Sequence, residues 1–140
     1  MGKRILRKLS FWLPVVLWMA LIFKFSSGTI PVASTVFWQD FAFKKTGHAL
    51  LFGALAILIY RGLIGEGINK KKALIWAIIF STFYGATDEF HQSFTQGREA
   101  RVRDVIIDGL GAFAFTYVLH RFLPKMPKKV VELATKFQLI

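Results

Sequence analysis

Four apolar stretches of about twenty residues each constrain what this chain can fold into. They cover about residues 9–27, 46–64, 73–91 and 104–123. A helix of this length crosses the roughly 30 Å of hydrocarbon in a bilayer. The stretches show no alternation of apolar and polar residues, so helices are favoured over a transmembrane barrel. The sequence therefore predicts an all-α membrane protein, a four-transmembrane-helix bundle that forms a single domain over residues 1–140.

Composition supports this class and argues against others. Hydrophobic residues make up 54% of the chain and the mean hydropathy is +0.47, both high for a soluble domain of this size. The net charge of +11 would suit a nucleic-acid-binding protein, but the basic residues flank the apolar stretches. We therefore expect the lipid bilayer and anionic headgroups as partners, and no nucleic acid. The chain has no cysteine, which excludes disulfides and thiolate chemistry.

Lysine and arginine are distributed unequally between the two sides of the predicted bundle. Thirteen fall at the two termini and around the connection between the second and third stretches, and five fall on the other side. The positive-inside rule then places both termini in the cytoplasm. Six of the eight acidic residues fall on the other, extracytoplasmic side. The tail over residues 124–140 is expected to be either a basic amphipathic helix on the inner leaflet or a mobile segment.

The first stretch also has features of a signal peptide, since the basic segment KRILRK precedes an apolar run. That run passes into Lys24, Phe25 and Ser26 without the small residues of a cleavage site. A retained transmembrane helix is therefore favoured.

Polar side chains lie at helical spacing near the extracytoplasmic ends of three predicted helices. They are Lys45 and His48 on the second helix, Asp88, His91 and Gln92 on the third, and Asp104 and Asp108 on the fourth. Ionisable groups at this depth normally face the bundle interior, where they pair or line a functional site. The candidate binding residues are Lys45, His48, Asp88, Glu89, Gln92, Arg98, Asp104 and Asp108, and the catalytic candidates are His48, Asp88, Glu89 and His91.

Each of these residues also has a structural interpretation. Asp104 can cap the fourth helix, and His48 can be a hydrogen-bonded core histidine. Arg98 can pair with Asp88 or Glu89 and hold the hairpin closed. The convergence of these residues from several helices nevertheless favours a site.

The chemistry of such a site stays open. Histidine and carboxylates are ligands for a divalent metal, but no HExxH or CxxC spacing supports one, so no metal ligand is assigned. A His–carboxylate acid–base pair can act on a phosphate ester, although no phosphatase signature or Gly-rich phosphate loop is visible. Both an enzyme and a binding protein fit these residues.

The segment DEFHQSFTQGR, followed by RDVIIDGLGA, resembles the VanZ-like family of small bacterial membrane proteins. The residues that carry the resemblance are Asp88, Glu89, Gln92, Phe94, Gly97, Arg98, Asp104, Asp108 and Gly111. A second family element matches Lys45, His48, Phe52 and Gly53, and a third matches Ser26 and Ser27. The chain departs from the family pattern with Lys44 in place of Asp, Gln96 in place of Pro and Asp108 in place of Asn.

The resemblance implies a bacterial cytoplasmic (inner) membrane protein, in a family whose namesake raises resistance to the glycopeptide teicoplanin. Cell-wall precursors are exposed at the outer leaflet, where an anionic or polyprenyl-linked lipid would meet Lys45, Arg98, Arg101 and Arg103. We therefore expect a protein that binds or modifies an envelope lipid or cell-wall precursor. The alternatives are a hydrolase or transferase acting on a lipid phosphate, and a structural or partner-binding membrane subunit.

Overall fold

Five α-helices make up the protein in a computed structural model that describes residues 2–28, 35–95 and 101–139. They are α1 (Gly2–Ser26), α2 (Phe37–Gly65), α3 (Lys70–Gln92), α4 (Val102–Phe122) and α5 (Lys128–Lys136), with a short 3₁₀ helix over Leu123–Lys125. These described ranges contain no strand. The prediction of an all-α protein is therefore confirmed.

The first two helices extend well beyond the apolar stretches within them. α1 begins at Gly2 and α2 at Phe37, whereas the corresponding stretches begin at about residues 9 and 46. The added turns of α2 mix aromatic residues with charged ones, and the Asp40–Lys44 ion pair at 2.7 Å supports them across one helical turn. Hydropathy marks only the part of a helix that suits hydrocarbon, because backbone hydrogen bonding continues past the apolar residues.

Two of the described helices are long and apolar enough to cross a membrane, over Arg4–Ser26 and Phe37–Gly65, each with a mean hydropathy of 1.7. The same measure does not single out α3 and α4. Large apolar side chains are nevertheless exposed on α1 to α4, for example Leu17 at 60%, Trp38 at 72%, Phe83 at 67% and Leu110 at 60%. Apolar surface on this scale suits lipid better than water. Four spans with cytoplasmic termini stay a prediction.

Helix α2 is the centre of the packing. α4 packs mainly against α2 and α3, and α1 packs mainly against α2. The buried core comprises Val15, Ile22, Phe52, Leu55, Ile59, Tyr60, Leu63, Ala73 and Ala77. α2 and α4 approach closely at Gly111, because a Cβ atom placed there would lie 2.7 Å from the Cα atom of Ala49. This close approach brings the polar faces of the two helices together near the start of each.

A short turn connects α2 to α3 at the opposite end of the bundle from those polar faces. Gly67 has a φ of 86°, a left-handed conformation that glycine adopts without strain. The Asn69 side chain then caps α3 by accepting a hydrogen bond from the Lys71 amide at 2.9 Å. At the same end the Arg61 side chain donates to the Phe137 carbonyl at 2.8 Å, which attaches the segment after α5 to α2. Residues of the predicted tail thus form α5, and its contact with the inner leaflet stays a prediction.

Candidate functional site

A buried polar network joins the ends of α1 and α3. The Ser26 hydroxyl donates to Oδ2 of Asp88 at 2.8 Å. The Gln92 amide donates to the same oxygen at 2.7 Å and to the Ser26 hydroxyl at 2.6 Å. All three side chains are buried. Asp88 and Gln92 are one turn apart, so the polar face that their spacing predicts on α3 packs against α1.

A second network joins α2 to α4. The Lys45 ammonium lies 2.5 Å from Oδ2 of Asp104. One turn further along both helices, Nδ1 of His48 lies 3.2 Å from Oδ1 of Asp108, which is fully buried. The i, i+4 spacing within each helix therefore places two polar pairs on one helix–helix interface.

Glu89 connects the end of α3 to the start of α4. Its Oε2 atom accepts a hydrogen bond from the backbone amide of Arg101 at 3.0 Å. Arg101 is the residue that precedes the first turn of α4. The Glu89 side chain therefore faces the α2–α4 interface, while the neighbouring Asp88 faces α1.

Four buried carboxylates gather at this end of the bundle, and we call them the carboxylate cluster: Asp88, Glu89, Asp104 and Asp108. Each keeps one buried oxygen without a hydrogen-bond donor in the described part of the chain, namely Oδ1 of Asp88, Oε1 of Glu89, Oδ1 of Asp104 and Oδ2 of Asp108. A buried polar atom without a partner costs about 1–3 kcal/mol, and more if it is charged. The cluster is therefore suited to take up protons or a cation.

Three residues of the site have the chemistry and spacing of metal ligands. His48, Glu89 and Asp108 each place one ligand atom within 4.8 Å of those of the other two. They come from α2, α3 and α4 respectively. No histidine–carboxylate motif in the sequence connects them, which is why sequence spacing assigns no metal ligand.

Two predicted residues, His91 and Arg98, remain to be placed. His91 does not join His48, because its Nε2 atom lies 3.1 Å from the Ser27 hydroxyl and its ring packs on Phe23 with the centroids 4.4 Å apart. Arg98, and with it the predicted pairing to Asp88 or Glu89, lies outside the described residues. The other predicted binding residues all lie in the two networks or contact them.

The structural interpretation of Asp104 as a helix cap differs from the structure, whereas that of His48 as a hydrogen-bonded histidine agrees with it. Asp104 does not cap α4, because the capping position is Arg101 and Asp104 lies in the first turn. Its negative charge still favours that helix end, and its side chain pairs with Lys45. His48 is hydrogen-bonded within the bundle, as a core histidine would be, and its partner is the fully buried Asp108.

Ser26 and Tyr84 form hydrogen bonds between α1 and α3 that residue spacing does not predict. Residue spacing alone does not predict a role for Ser26 in the site, yet it is a hydrogen-bond donor to Asp88. The Tyr84 hydroxyl donates to the Met19 carbonyl at 2.8 Å and holds α3 to α1 one turn below Asp88. The available sequence signal was the position of Ser26 at the end of an apolar run, where a polar side chain can face another helix.

An apolar groove of about 300 Å³ runs between α1, α2 and α3 towards the polar networks. Its lining residues include Val15, Met19, Phe83, Tyr84 and Thr87. Thr87 directly precedes Asp88, so the groove reaches the turn of α3 that carries Asp88, although the two side chains point in different directions. The groove is apolar, and its Thr87 end is the end closer to the α1–α3 network.

Comparison with known proteins gives one match. A family model described as VanZ/LLP1 matches residues 11–123, which is most of the chain and includes both polar networks. No curated protein and no solved structure matches the chain significantly.

Proposed function

Because the chain belongs to the VanZ/LLP1 family, as its motifs predict, we propose that it binds an envelope lipid or cell-wall precursor at the extracytoplasmic face of the bacterial cytoplasmic membrane. In this proposal α1 to α4 all cross the bilayer, and both termini are cytoplasmic. The 13-to-5 split of basic residues supports this orientation. The exposed apolar side chains of α1, α3 and α4 support lipid contact along the whole bundle.

The groove between α1 and α3 is the observation that carries the proposal. Its lining is apolar, and it extends to Thr87, in the same turn of α3 as the buried Asp88. A lipid has the same sequence of chemistry, with an acyl or polyprenyl chain followed by a polar headgroup. A chain in the groove would leave its headgroup at the level of the polar networks.

Charge supports an anionic headgroup at the rim of the site rather than inside it. Lys45 is already paired with Asp104. Arg101 and Arg103 are exposed at the start of α4, and a guanidinium group can hold a phosphate with two parallel hydrogen bonds. The headgroup would therefore contact these arginines, with Arg98 as the further contact that the sequence predicts.

A pair of matched variants tests the groove. Thr87→Trp introduces a large side chain at the Thr87 end of the groove. Ala86→Trp adds the same side chain at the neighbouring exposed residue, which does not line the groove. We expect Thr87→Trp to lose most binding of a labelled polyprenyl phosphate in detergent or nanodiscs, and Ala86→Trp to retain it. Equal binding by both variants would remove the groove from the proposal. Lipid mass spectrometry of the purified wild type identifies the headgroup that co-purifies.

The headgroup contact has a separate test. Arg98→Lys keeps the charge but loses the planar fork of the guanidinium group, and we expect a large loss of polyprenyl-phosphate binding with normal thermal stability. Arg121→Lys, at an exposed residue in the last turn of α4, is the matched control, with little effect expected. Equal, small effects of the two changes would contradict an arginine clamp.

The His48–Asp108 pair favours a second candidate function, an enzyme acting on a lipid phosphate, because a histidine beside a carboxylate is a common acid–base arrangement. Release of phosphate or a new lipid product from the labelled substrate would identify turnover, whereas binding without product supports the binding function. We also propose a contribution to teicoplanin resistance. Expression of the protein in a teicoplanin-sensitive bacterium tests this proposal, and we expect a lower susceptibility to the drug.

A further inference from the structure

We infer that His48, Glu89 and Asp108 form a binding site for a divalent transition-metal cation inside the bundle. The inference goes beyond lipid binding and does not rest on it, since it uses only side chains that α2, α3 and α4 bring together. The probes that suit this ligand set are Zn²⁺, Mn²⁺ and Co²⁺.

The spacing of the three ligands fits one small cation. Ligand atoms about 2.0–2.1 Å from a tetrahedral zinc ion are about 3.3 Å from one another. Nδ1 of His48 and Oδ1 of Asp108 are 3.2 Å apart, close to that separation, and the proton of their hydrogen bond must leave when an ion binds between them. All three ligand atoms lie within 4.8 Å of one another, so any pair that is wider than the zinc separation must approach when the ion binds.

Burial makes a positive charge at this position favourable. Asp108 is fully buried and Glu89 is 4% exposed. Each has one oxygen without a hydrogen-bond donor in the described ranges, Oδ2 of Asp108 and Oε1 of Glu89. Buried carboxylates are stable when they are paired, protonated or bound to a metal, and a divalent cation neutralises two of them at once.

In the described part of the chain, neither Lys45 nor Arg103 forms an ion pair with these two carboxylates. Lys45 and Arg103 both lie against Asp104, at 2.5 and 3.6 Å. Asp88 receives its hydrogen bonds from Ser26 and Gln92, and Glu89 receives one from a backbone amide. These contacts also orient the surrounding side chains, as the outer shell of a metal site does.

The ligand types select the class of cation. One imidazole nitrogen with two carboxylates suits Zn²⁺ or Mn²⁺ better than Ca²⁺ or Mg²⁺, which prefer oxygen ligands alone. Three protein ligands also leave a coordination position open for water or for an oxygen of a bound molecule.

Metal binding by the full-length protein tests the site. The protein is purified in detergent, its affinity tag is removed, and it is stripped with EDTA before titration with Zn²⁺ or Mn²⁺. We expect one ion per chain by elemental analysis, a higher thermal midpoint, and for Co²⁺ the visible absorption of an ion bound to nitrogen and oxygen. A folded wild-type protein without stoichiometric binding of any of these ions would overturn the inference.

Conservative variants locate the ion. Asp108→Asn, Glu89→Gln and His48→Gln each keep the side-chain size, and each should weaken the affinity by at least about tenfold. His91→Gln is the matched control, because this histidine lies at the same end of the bundle outside the triad. Unchanged affinity in the folded triad variants, or an equal loss in His91→Gln, would contradict the assignment. If a variant fails to fold, the wild-type Co²⁺ spectrum still decides whether a nitrogen–oxygen site is present.

The two proposals fail separately. The metal titrations contain detergent and no polyprenyl phosphate, so loss of lipid binding in Thr87→Trp leaves their result unchanged. A protein that binds lipid but no metal would overturn only the metal site.

Discussion

The Lys45 ammonium on α2 and the Asp104 carboxylate on α4 form an ion pair at 2.5 Å on the edge of the carboxylate cluster. The pair is largely shielded, with side-chain exposures of 19% and 9%. The adjacent Lys44 also pairs with an acid, Asp40, but within α2 and with exposures of 26% and 19%. Two neighbouring lysines thus have different roles, one between helices and one along a helix surface.

This difference predicts unequal effects of the same substitution. Lys45→Met leaves the buried Asp104 carboxylate with the half-exposed Arg103, 3.6 Å away, and should lower the free energy of unfolding by up to about 3 kcal/mol. Lys44→Met removes a pair within one helix and should cost under about 1 kcal/mol. Thermal or denaturant unfolding in detergent measures both. Adding Asp104→Asn to Lys45→Met should restore part of the loss, and a double mutant less stable than Lys45→Met would contradict the pairing.

Ser26 and Ser27 offer a second matched comparison. Ser26→Ala removes a donor to the buried Asp88, and we expect a loss of about 1–2 kcal/mol in stability. Ser27→Ala removes an exposed hydroxyl that donates to the Phe23 carbonyl and lies 3.1 Å from Nε2 of His91, and because both contacts are solvent-exposed it should cost under about 0.5 kcal/mol. Unfolding curves of both variants under one condition decide the order. Equal losses would mean that the α1–α3 network contributes little.

Hydrophobic length predicts the type and approximate position of these helices. The predicted stretches 73–91 and 104–123 differ from α3 and α4 by three residues or fewer at each end. α2 begins nine residues before its predicted stretch, because charged residues such as Asp40 and Lys44 interrupt the apolar pattern of these turns without interrupting the helix. Helix formation depends on backbone hydrogen bonding, whereas hydropathy reports only where the chain suits lipid.

Helical spacing predicts which face is polar but not which residues meet. The i, i+4 pattern places Asp104 and Asp108 on one stripe, and both indeed face α2. The contact between Ser26 and Asp88 joins residues 62 positions apart and depends on how α1 packs against α3. His91 shares the spacing of Asp88 but lies against Phe23, so it cannot join His48. Contacts between helices depend on how each helix is rotated and how the helices cross. The periodicity of a single sequence does not predict either quantity.

Glycine substitutions test the approach of α2 to α4. A Cβ atom at Gly111 would lie 2.7 Å from the backbone Cα of Ala49, so Gly111→Ala must separate the helices and should cost about 1–3 kcal/mol. A Cβ atom placed at Gly47 would have no neighbouring atom within 4 Å. Gly47→Ala should therefore stabilise α2 by about 0.5–1 kcal/mol. Thermal unfolding of the two variants measures the difference. A stabilising Gly111→Ala would contradict the close packing.

The distribution of basic residues predicts the topology. Thirteen lysines and arginines lie on the side of the termini, so a reporter fused after Ile140 should be cytoplasmic. A reporter inserted near Gln96 should be extracytoplasmic. Alkaline phosphatase and green fluorescent protein fusions at both points measure this, since the two are active on opposite sides. The reversed pattern would move the carboxylate cluster to the cytoplasmic side.

Glu66 gives the protein a pH dependence at the other end of the bundle. It follows α2, and the hydrogen bond from Lys8, followed by the one from Trp12, holds the pKa of its carboxyl below the usual value of 4.5. A carboxyl whose pKa is lower in the folded state stabilises the fold above its unfolded pKa, and this contribution is lost as the pH falls through the folded pKa.

Wild type should therefore have a higher thermal midpoint than Glu66→Gln at about pH 7, and the difference should disappear towards about pH 3. Glu132→Gln, at an exposed residue of α5, is the control for the change in net charge. A difference between wild type and Glu66→Gln that is independent of pH would mean that the Lys8 and Trp12 contacts do not stabilise the ionised carboxylate.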